Sequence, residues 1–213
     1  MHRILIITLM LKTLLITGQS FTSDNRNSLK ASYGYFVPWA RYYKNPIETR
    51  FGTTFSSPRP FVALSLEHPR GYGSRNICGE YGVSYFLNQT KNPGDTLTLH
   101  WFANNFFLVL KYDMFPQNKY IDLFICGGGL VGSQRIIVDD KERRVYRNFN
   151  AALIPRVELR VQTVKRISLG LEAAFLYDLS NTRWKSRPDT WSPDHSAFTG
   201  TTLNAFVGWC WGK

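Results

Sequence analysis

What this chain lacks narrows its reading first. Beyond residue 20 no stretch keeps apolar residues at the 3.6-residue spacing of an amphipathic helix, so a helical domain is excluded. No lysine-arginine run exceeds a dipeptide such as Arg143-Arg144, and none stands in an aromatic binding motif. The formal net charge of +11 therefore does not describe a nucleic-acid surface, although it suits anionic lipid head groups. Cysteine is scarce: Cys78, Cys126 and Cys210 lie far apart, with no CxxC pair, no zinc spacing and no lipobox. That leaves at least one unpaired thiol, or three small packed side chains.

Long apolar runs are confined to the start. His2 and Arg3 precede a stretch from Ile4 to Ile16 broken only by Thr8, Lys12 and Thr13. It is shorter than the roughly 20 residues a spanning helix needs, and Gly18 and Ser20 stand at the small-x-small spacing of a signal-peptidase site. Residues 1–20 are therefore expected to be a signal peptide cleaved after Ser20, and residues 21–213 the exported domain. Loss of Arg3 and Lys12 takes the charge from +11 to +9.

What fills the remainder is a two-residue rhythm. Alternating runs separated by turn residues predict strands at 30–40, 60–68, 79–88, 96–113, 119–132, 148–162, 166–179 and 199–212. About eight antiparallel strands in up-and-down order match the smallest closed transmembrane barrels. The connectors alternate in length: Arg41 to Pro58 and the segment after residue 179 are long, FPQNK and QTVKR are short, and SQRIIVDDKERRVYR reads as a charged loop. With the N terminus on the periplasmic side the long connectors fall mainly outside; only HPRGYGSRNIC blurs the pattern.

Alternation alone does not say whether the apolar side chains fill a core or face lipid. The glycines decide it. Gly82, Gly128, Gly170 and Gly208 share parity with Ser84, Asp122, Glu172 and Asn204. Glycine inside an exposed strand costs stability, whereas the crowded interior of an eight-stranded barrel needs small residues beside long ones. The polar parity is thus predicted to point inward as a network of Glu67, Glu80, Lys111, Asp122, Arg156, Glu158, Arg160 and Glu172, with both signs present because buried charges persist only when paired. A turn centred on Val164 would set Arg156 opposite Glu172 and Arg160 opposite Ser168, and a turn around Pro116 would set Lys111 near Asp122.

The opposite parity is apolar. Its aromatic members Tyr33, Trp39, Tyr85, Tyr112, Tyr177, Trp209 and Trp211 concentrate toward strand ends, where an aromatic belt meets lipid head groups. Arg135, Arg143, Arg144 and Arg147, with Arg183, Lys185 and Arg187, are candidate contacts to lipopolysaccharide phosphates. The alternative for the segment around Asp139 and Asp140 is a solvated loop tip.

Two stretches, NNFFLVLKYDMFPQNKYIDLFICGGGLVG and PRVELRVQTVKRISLGLEAAFLYDLS, resemble the small outer-membrane β-barrel proteins known as porin-family, PorT-like or outer-membrane β-barrel domain proteins. Shared features are a strand ending in LKY, a short proline-containing turn, a strand running into GGG, and a later pair reading RISLGLEA. The resemblance covers roughly residues 30–212, and it implies a barrel similar to that of outer-membrane protein A without a peptidoglycan-binding domain. One departure lies at the end: such chains close on an aromatic residue, whereas Trp211 is followed by Gly212 and Lys213.

Some barrels of this size resemble lipid A deacylases or palmitoyltransferases. Asp194, His195 and Ser196 are adjacent in sequence, so their side chains cannot form a relay, and no His-x-Ser occurs. His68 and His100 stand alone, without a metal set. The expected function is therefore non-catalytic, without cofactor: an envelope structural or surface-binding module with a mostly plugged polar lumen in the outer membrane of a Gram-negative bacterium. Its expected partners are outer-membrane lipid, lipopolysaccharide and other envelope proteins, and not nucleic acid. Two alternatives are a narrow porin-like channel for ions or small solutes, and a soluble exported barrel binding an apolar ligand, which requires the apolar parity to point inward.

Overall fold

A computed structural model describes residues 27–39, 46–52, 58–68, 76–91, 97–115, 118, 120–164, 166–180, 182–187 and 198–211. The segment expected to be a signal peptide and the Asp194-His195-Ser196 triplet lie outside the described residues. The strands are β1 (Asn27–Pro38), β2 (Arg59–His68), β3 (Ile77–Lys91), β4 (Thr98–Asp113), β5 (Ile121–Asp139), β6 (Arg143–Leu153), β7 (Arg156–Val164), β8 (Ile167–Asp178), β9 (Lys185–Arg187) and β10 (Gly200–Trp211), with one short helix, α1 (Pro46–Phe51). Gly52, at φ 64°, follows the last helical residue in the left-handed conformation that ends helices. Among the described residues no helix is long and apolar enough to cross a membrane.

All pairings are antiparallel, and β10 bonds to both β8 and β1, so the sheet closes on itself. The ring has eight staves because β6 and β7 share one. Both pair with β5 and with β8. Between them Ile154 N–H still donates to Gly128 O at 2.9 Å, and Pro155 O still accepts from Phe175 N–H at 3.0 Å. Proline has no N–H to return the second bond of that pair, so the ladder is interrupted while the register is not.

Followed neighbour by neighbour, the register runs from Ser28 through Glu67, Glu80, Val109, Gly128, Ile154, Leu176 and Gly200 and re-enters β1 at Pro38, ten residues further on. This stagger tilts the strands against the barrel axis and fixes an interior just wide enough for side chains.

Three expectations are corrected here. The predicted charged loop at 133–147 is mostly strand: β5 continues to Asp139 and β6 begins at Arg143, leaving residues 140–142 as the turn. Ile136, Ile137 and Val138 are all buried, so β-branched packing outweighs the nearby charges. The predicted strand at 148–162 is the β6–β7 stave, starting earlier and interrupted at Pro155. Within the long connector after β8, residues 185–187 form a strand of their own on β6.

Apart from residues 136–138 the two parities separate clearly. Outward side chains include Leu110 at 63% exposure, Leu203 at 62% and Leu108 at 56%, while inward Glu80 and Glu158 are at 0%. The apolar parity thus points outward, against the requirement of the soluble ligand-binding alternative. The end carrying Asn27 and Trp211 is called the terminal end here; the opposite one, carrying the connectors after β1, β3, β5 and β8, is the loop end.

Candidate functional site

The terminal half of the interior is ionic. Lys30 (β1), Lys111 (β4), Arg156 and Arg160 (β7) face Glu67 (β2), Glu80 (β3), Glu158 (β7) and Glu172 (β8), all buried. Lys111 Nζ is 2.8 Å from Glu67 Oε2, 2.8 Å from both oxygens of Glu158 and 3.4 Å from Glu80 Oε2. Lys30 Nζ reaches across the lumen to Glu80 Oε1 at 2.8 Å and Glu158 Oε2 at 3.1 Å, and also meets Glu172. Arg156 is bonded to Glu80 and lies 3.3 Å from Glu172; Arg160 donates to Glu67 at 3.1 Å and to Glu158 at 2.6 Å.

Four cations meet four carboxylates, so the cluster is neutral. That balance is what allows it to be dry, since an unpaired buried charge costs several kcal/mol. Glu80, Glu158 and Glu172 bring carboxylate oxygens within 4.8 Å of one another, a spacing that would suit a metal ion. Lysine and arginine side chains already supply the positive charge there, so the trio is fully used by the protein.

The predicted members are thus brought together, with different neighbours from those the turns suggested. Arg156 stands opposite Ala174 and Arg160 opposite Gly170, two positions along β8 from the expectation, because the turn falls after Val164, which pairs with Ile167, and not at it. Lys111 stands opposite Cys126, and Arg160 is the register partner of Asp122. Asp122 lies at the terminal edge, where Gln162 Nε2 donates to it at 3.3 Å. Sequence reasoning missed Lys30, although its parity with Ser28, Ser32 and Gly34 marks it as inward. Cys78 and Cys126 flank Lys111 in register, and all three cysteines are free.

Gly170 earns its place by absence. A Cβ there would strike the Phe206 ring, its partner on β10. Without one, Phe206 spreads under the charges, with Lys30 Nζ 4.8 Å and the Arg160 guanidinium 5.8 Å from the ring centre.

The loop half of the interior is aromatic, which the sequence reading did not foresee. Phe36, Phe61, Phe86, Trp101 and Phe198 interlock, with Phe86 at 4.8 Å from Phe61, 5.2 Å from Phe198 and 6.0 Å from Trp101 between ring centres. Buried Arg59 lays its guanidinium 4.8 Å from the Trp101 ring and 3.6 Å from Glu48 of α1. The signal was parity itself: with Tyr33 and Trp39 outward, Phe36 turns inward in YGYFVPW. A cavity of about 60 Å³ lies between the two layers, bordered by Glu80, Arg156, Phe61 and Phe86.

On the outside, the seven basic candidates divide. Arg135, Arg147 and Lys185 are exposed neighbours across β5, β6 and β9. Arg143 lies 3.6 Å from Asp139. Arg144 belongs to the opposite face, 5.9 Å from the Phe51 ring of α1. Arg183 is exposed just before β9, and the side chain of Arg187 lies outside the described residues. The seven aromatic candidates are all exposed. Tyr112, Trp209 and Trp211 ring the terminal end, whereas Trp39 and Tyr177 flank Phe175 at the loop end. Tyr33 and Tyr85 share one register row, both opposite Val62.

No protein-family model matches this chain, and no curated protein does. Solved structures do. Ail, the attachment invasion locus protein of Yersinia pestis, solved in complex with the heparin analogue sucrose octasulfate, aligns with a TM-score of 0.57 at 8% identity over 88% of this chain and 99% of Ail. A major outer membrane protein from Thermus thermophilus gives 0.57 at 7% identity over 87% and 99%. The outer membrane protein OprG from Pseudomonas aeruginosa gives 0.51 at 9% identity over 89% and 97%. At these identities the likeness is one of fold: an eight-stranded antiparallel barrel of the outer-membrane kind.

Proposed function

We propose that the chain is a non-catalytic outer-membrane β-barrel of a Gram-negative bacterium, acting as an envelope structural or surface-binding module. The observation that carries this reading is the pairing of a predominantly apolar exterior with a neutral, ion-paired interior. In water such an exterior would leave a belt of exposed leucine, valine and aromatic side chains around the whole ring. In lipid it is the face that needs no partner, and closure leaves no strand edge to satisfy.

The lumen serves as a plug. An ionic layer and an aromatic layer lie in series, with a small cavity between them. Function then resides on the rim and the loops. The exposed basic residues of the β5–β6–β9 region give this chain an anion-binding surface of its own.

The deciding experiment is extraction and migration. Release from the membrane fraction by detergent but not by carbonate, with faster migration of the unboiled band on a denaturing gel, is the expected result. Release by salt with no shift on boiling overturns the reading. Steady single-channel conductance in planar bilayers would replace the plug by the channel alternative.

A further inference from the structure

The geometry points to a lipid-binding site on the outer wall: one phosphorylated, multiply acylated lipid held by Arg135, Arg147 and Lys185, with its acyl chains in the apolar concavity that begins at Ser133 and Val131 of β5 and extends across β4 to β2. This rests on the reading of the outer wall as lipid-facing, and narrows it to a ligand class and a place.

Three observations converge. Arg135 pairs with Arg147, and Arg147 with Lys185, so three exposed cations stand side by side on consecutive strands. Like charges directly opposite one another destabilise a sheet. Among the described residues no carboxylate is paired with any of the three, and the nearby Asp139 is engaged by Arg143 at 3.6 Å and His100 at 3.4 Å. At the usual strand spacing the row spans about 10 Å, enough for more than one phosphate group. An anion lying across it removes the repulsion.

Two residues further toward the terminal end on β4 and β5, the wall carries Asn104 opposite Ser133, two exposed polar side chains on a face that is otherwise apolar there. Next to this pair the surface forms a concavity of about 690 Å³ lined by Val62, Leu64, Val83, Phe106, Val131 and Phe149. Along the strands the wall therefore offers cations, then hydrogen-bonding groups, then an apolar hollow. That is the order of phosphate, polar linkage and acyl chain in an anionic lipid. A free phosphate would use only the first of these, and a neutral lipid only the last two.

The test is native mass spectrometry of the detergent-purified barrel titrated with diphosphoryl lipid A, its monophosphoryl form and inorganic phosphate. One diphosphoryl lipid retained per barrel, more tightly than the monophosphoryl form and undisturbed by inorganic phosphate at equal concentration, is expected. The triple variant Arg135→Ala, Arg147→Ala, Lys185→Ala should bind about a hundredfold more weakly, near a factor of five for each cation at a membrane surface. Val131→Trp, which fills the hollow and leaves the cations in place, should weaken the lipid as well. Equal binding by the triple variant overturns the proposal, and so does displacement by inorganic phosphate, which would reduce the row to a simple anion site. Heat-modifiable migration of both variants is read alongside. A retained shift with unaltered lipid binding rejects this site while the barrel reading stands, whereas no shift even in the wild-type protein rejects the reading beneath it.

Discussion

Lys111 Nζ sits 2.8 Å from both carboxylate oxygens of Glu158, although β4 and β7 are not neighbours in the sheet. The contact spans the interior above β5, and Glu158 also meets Lys30, Arg156 and Arg160. A single carboxylate thus touches all four cations of the ionic layer. Glu158→Gln leaves one positive charge in excess in a dry interior, and should lower unfolding free energy by about 3–5 kcal/mol. The urea midpoint of the barrel in lipid vesicles measures it; an unchanged midpoint contradicts the hub.

Arg156 and Glu172 stand 3.3 Å apart without being register partners. Arg156→Ala should lower the midpoint, and adding Glu172→Ala should cost less than the sum of the two single changes. Strict additivity would mean that the two side chains do not interact.

Leu108 lies on the outer wall in the middle of β4, 56% exposed. Leu108→Arg should cost about 2–4 kcal/mol if that wall faces the bilayer midplane, and Tyr112→Arg near the strand end only about 0–1 kcal/mol. Surface substitutions in water stay within about 0.5 kcal/mol. The contrast between the two positions is the readout, by equilibrium unfolding in vesicles.

The two inner layers are in series, so removing one should not open a path. Trp101→Ala combined with Phe198→Ala empties much of the aromatic layer and leaves the ionic layer intact. Planar-bilayer recording of this variant should show no steady conductance. A steady open level would locate the seal in the rings alone.

The sequence disclosed periodicity and parity well, because alternation is a property of single strands. The inward placement of Glu67, Glu80, Arg156 and Glu172 follows from it, as does the outward placement of Leu108 and Leu203. It disclosed register poorly, because register depends on the turn. The β7–β8 turn falls after Val164 and not at it, which makes Ala174 the direct partner of Arg156 in place of Glu172. Across-lumen contacts such as Lys30 with Glu158 were beyond reach, since they depend on stagger around the whole ring. The aromatic layer was hidden for a related reason: parity turns Phe36 inward between Tyr35 and Val37, but which inward rings meet depends on stagger around the ring.

The neutral cluster divides evenly along the chain. Lys30 and Lys111 balance Glu67 and Glu80 in the first four staves, with their own contacts among them; Arg156 and Arg160 balance Glu158 and Glu172 in the later ones, again with contacts of their own. Each half of the sheet therefore brings no net charge to this layer. The two inner faces meet without net repulsion, and the bonds between the halves, such as Lys111 with Glu158 and Arg160 with Glu67, add to those within each.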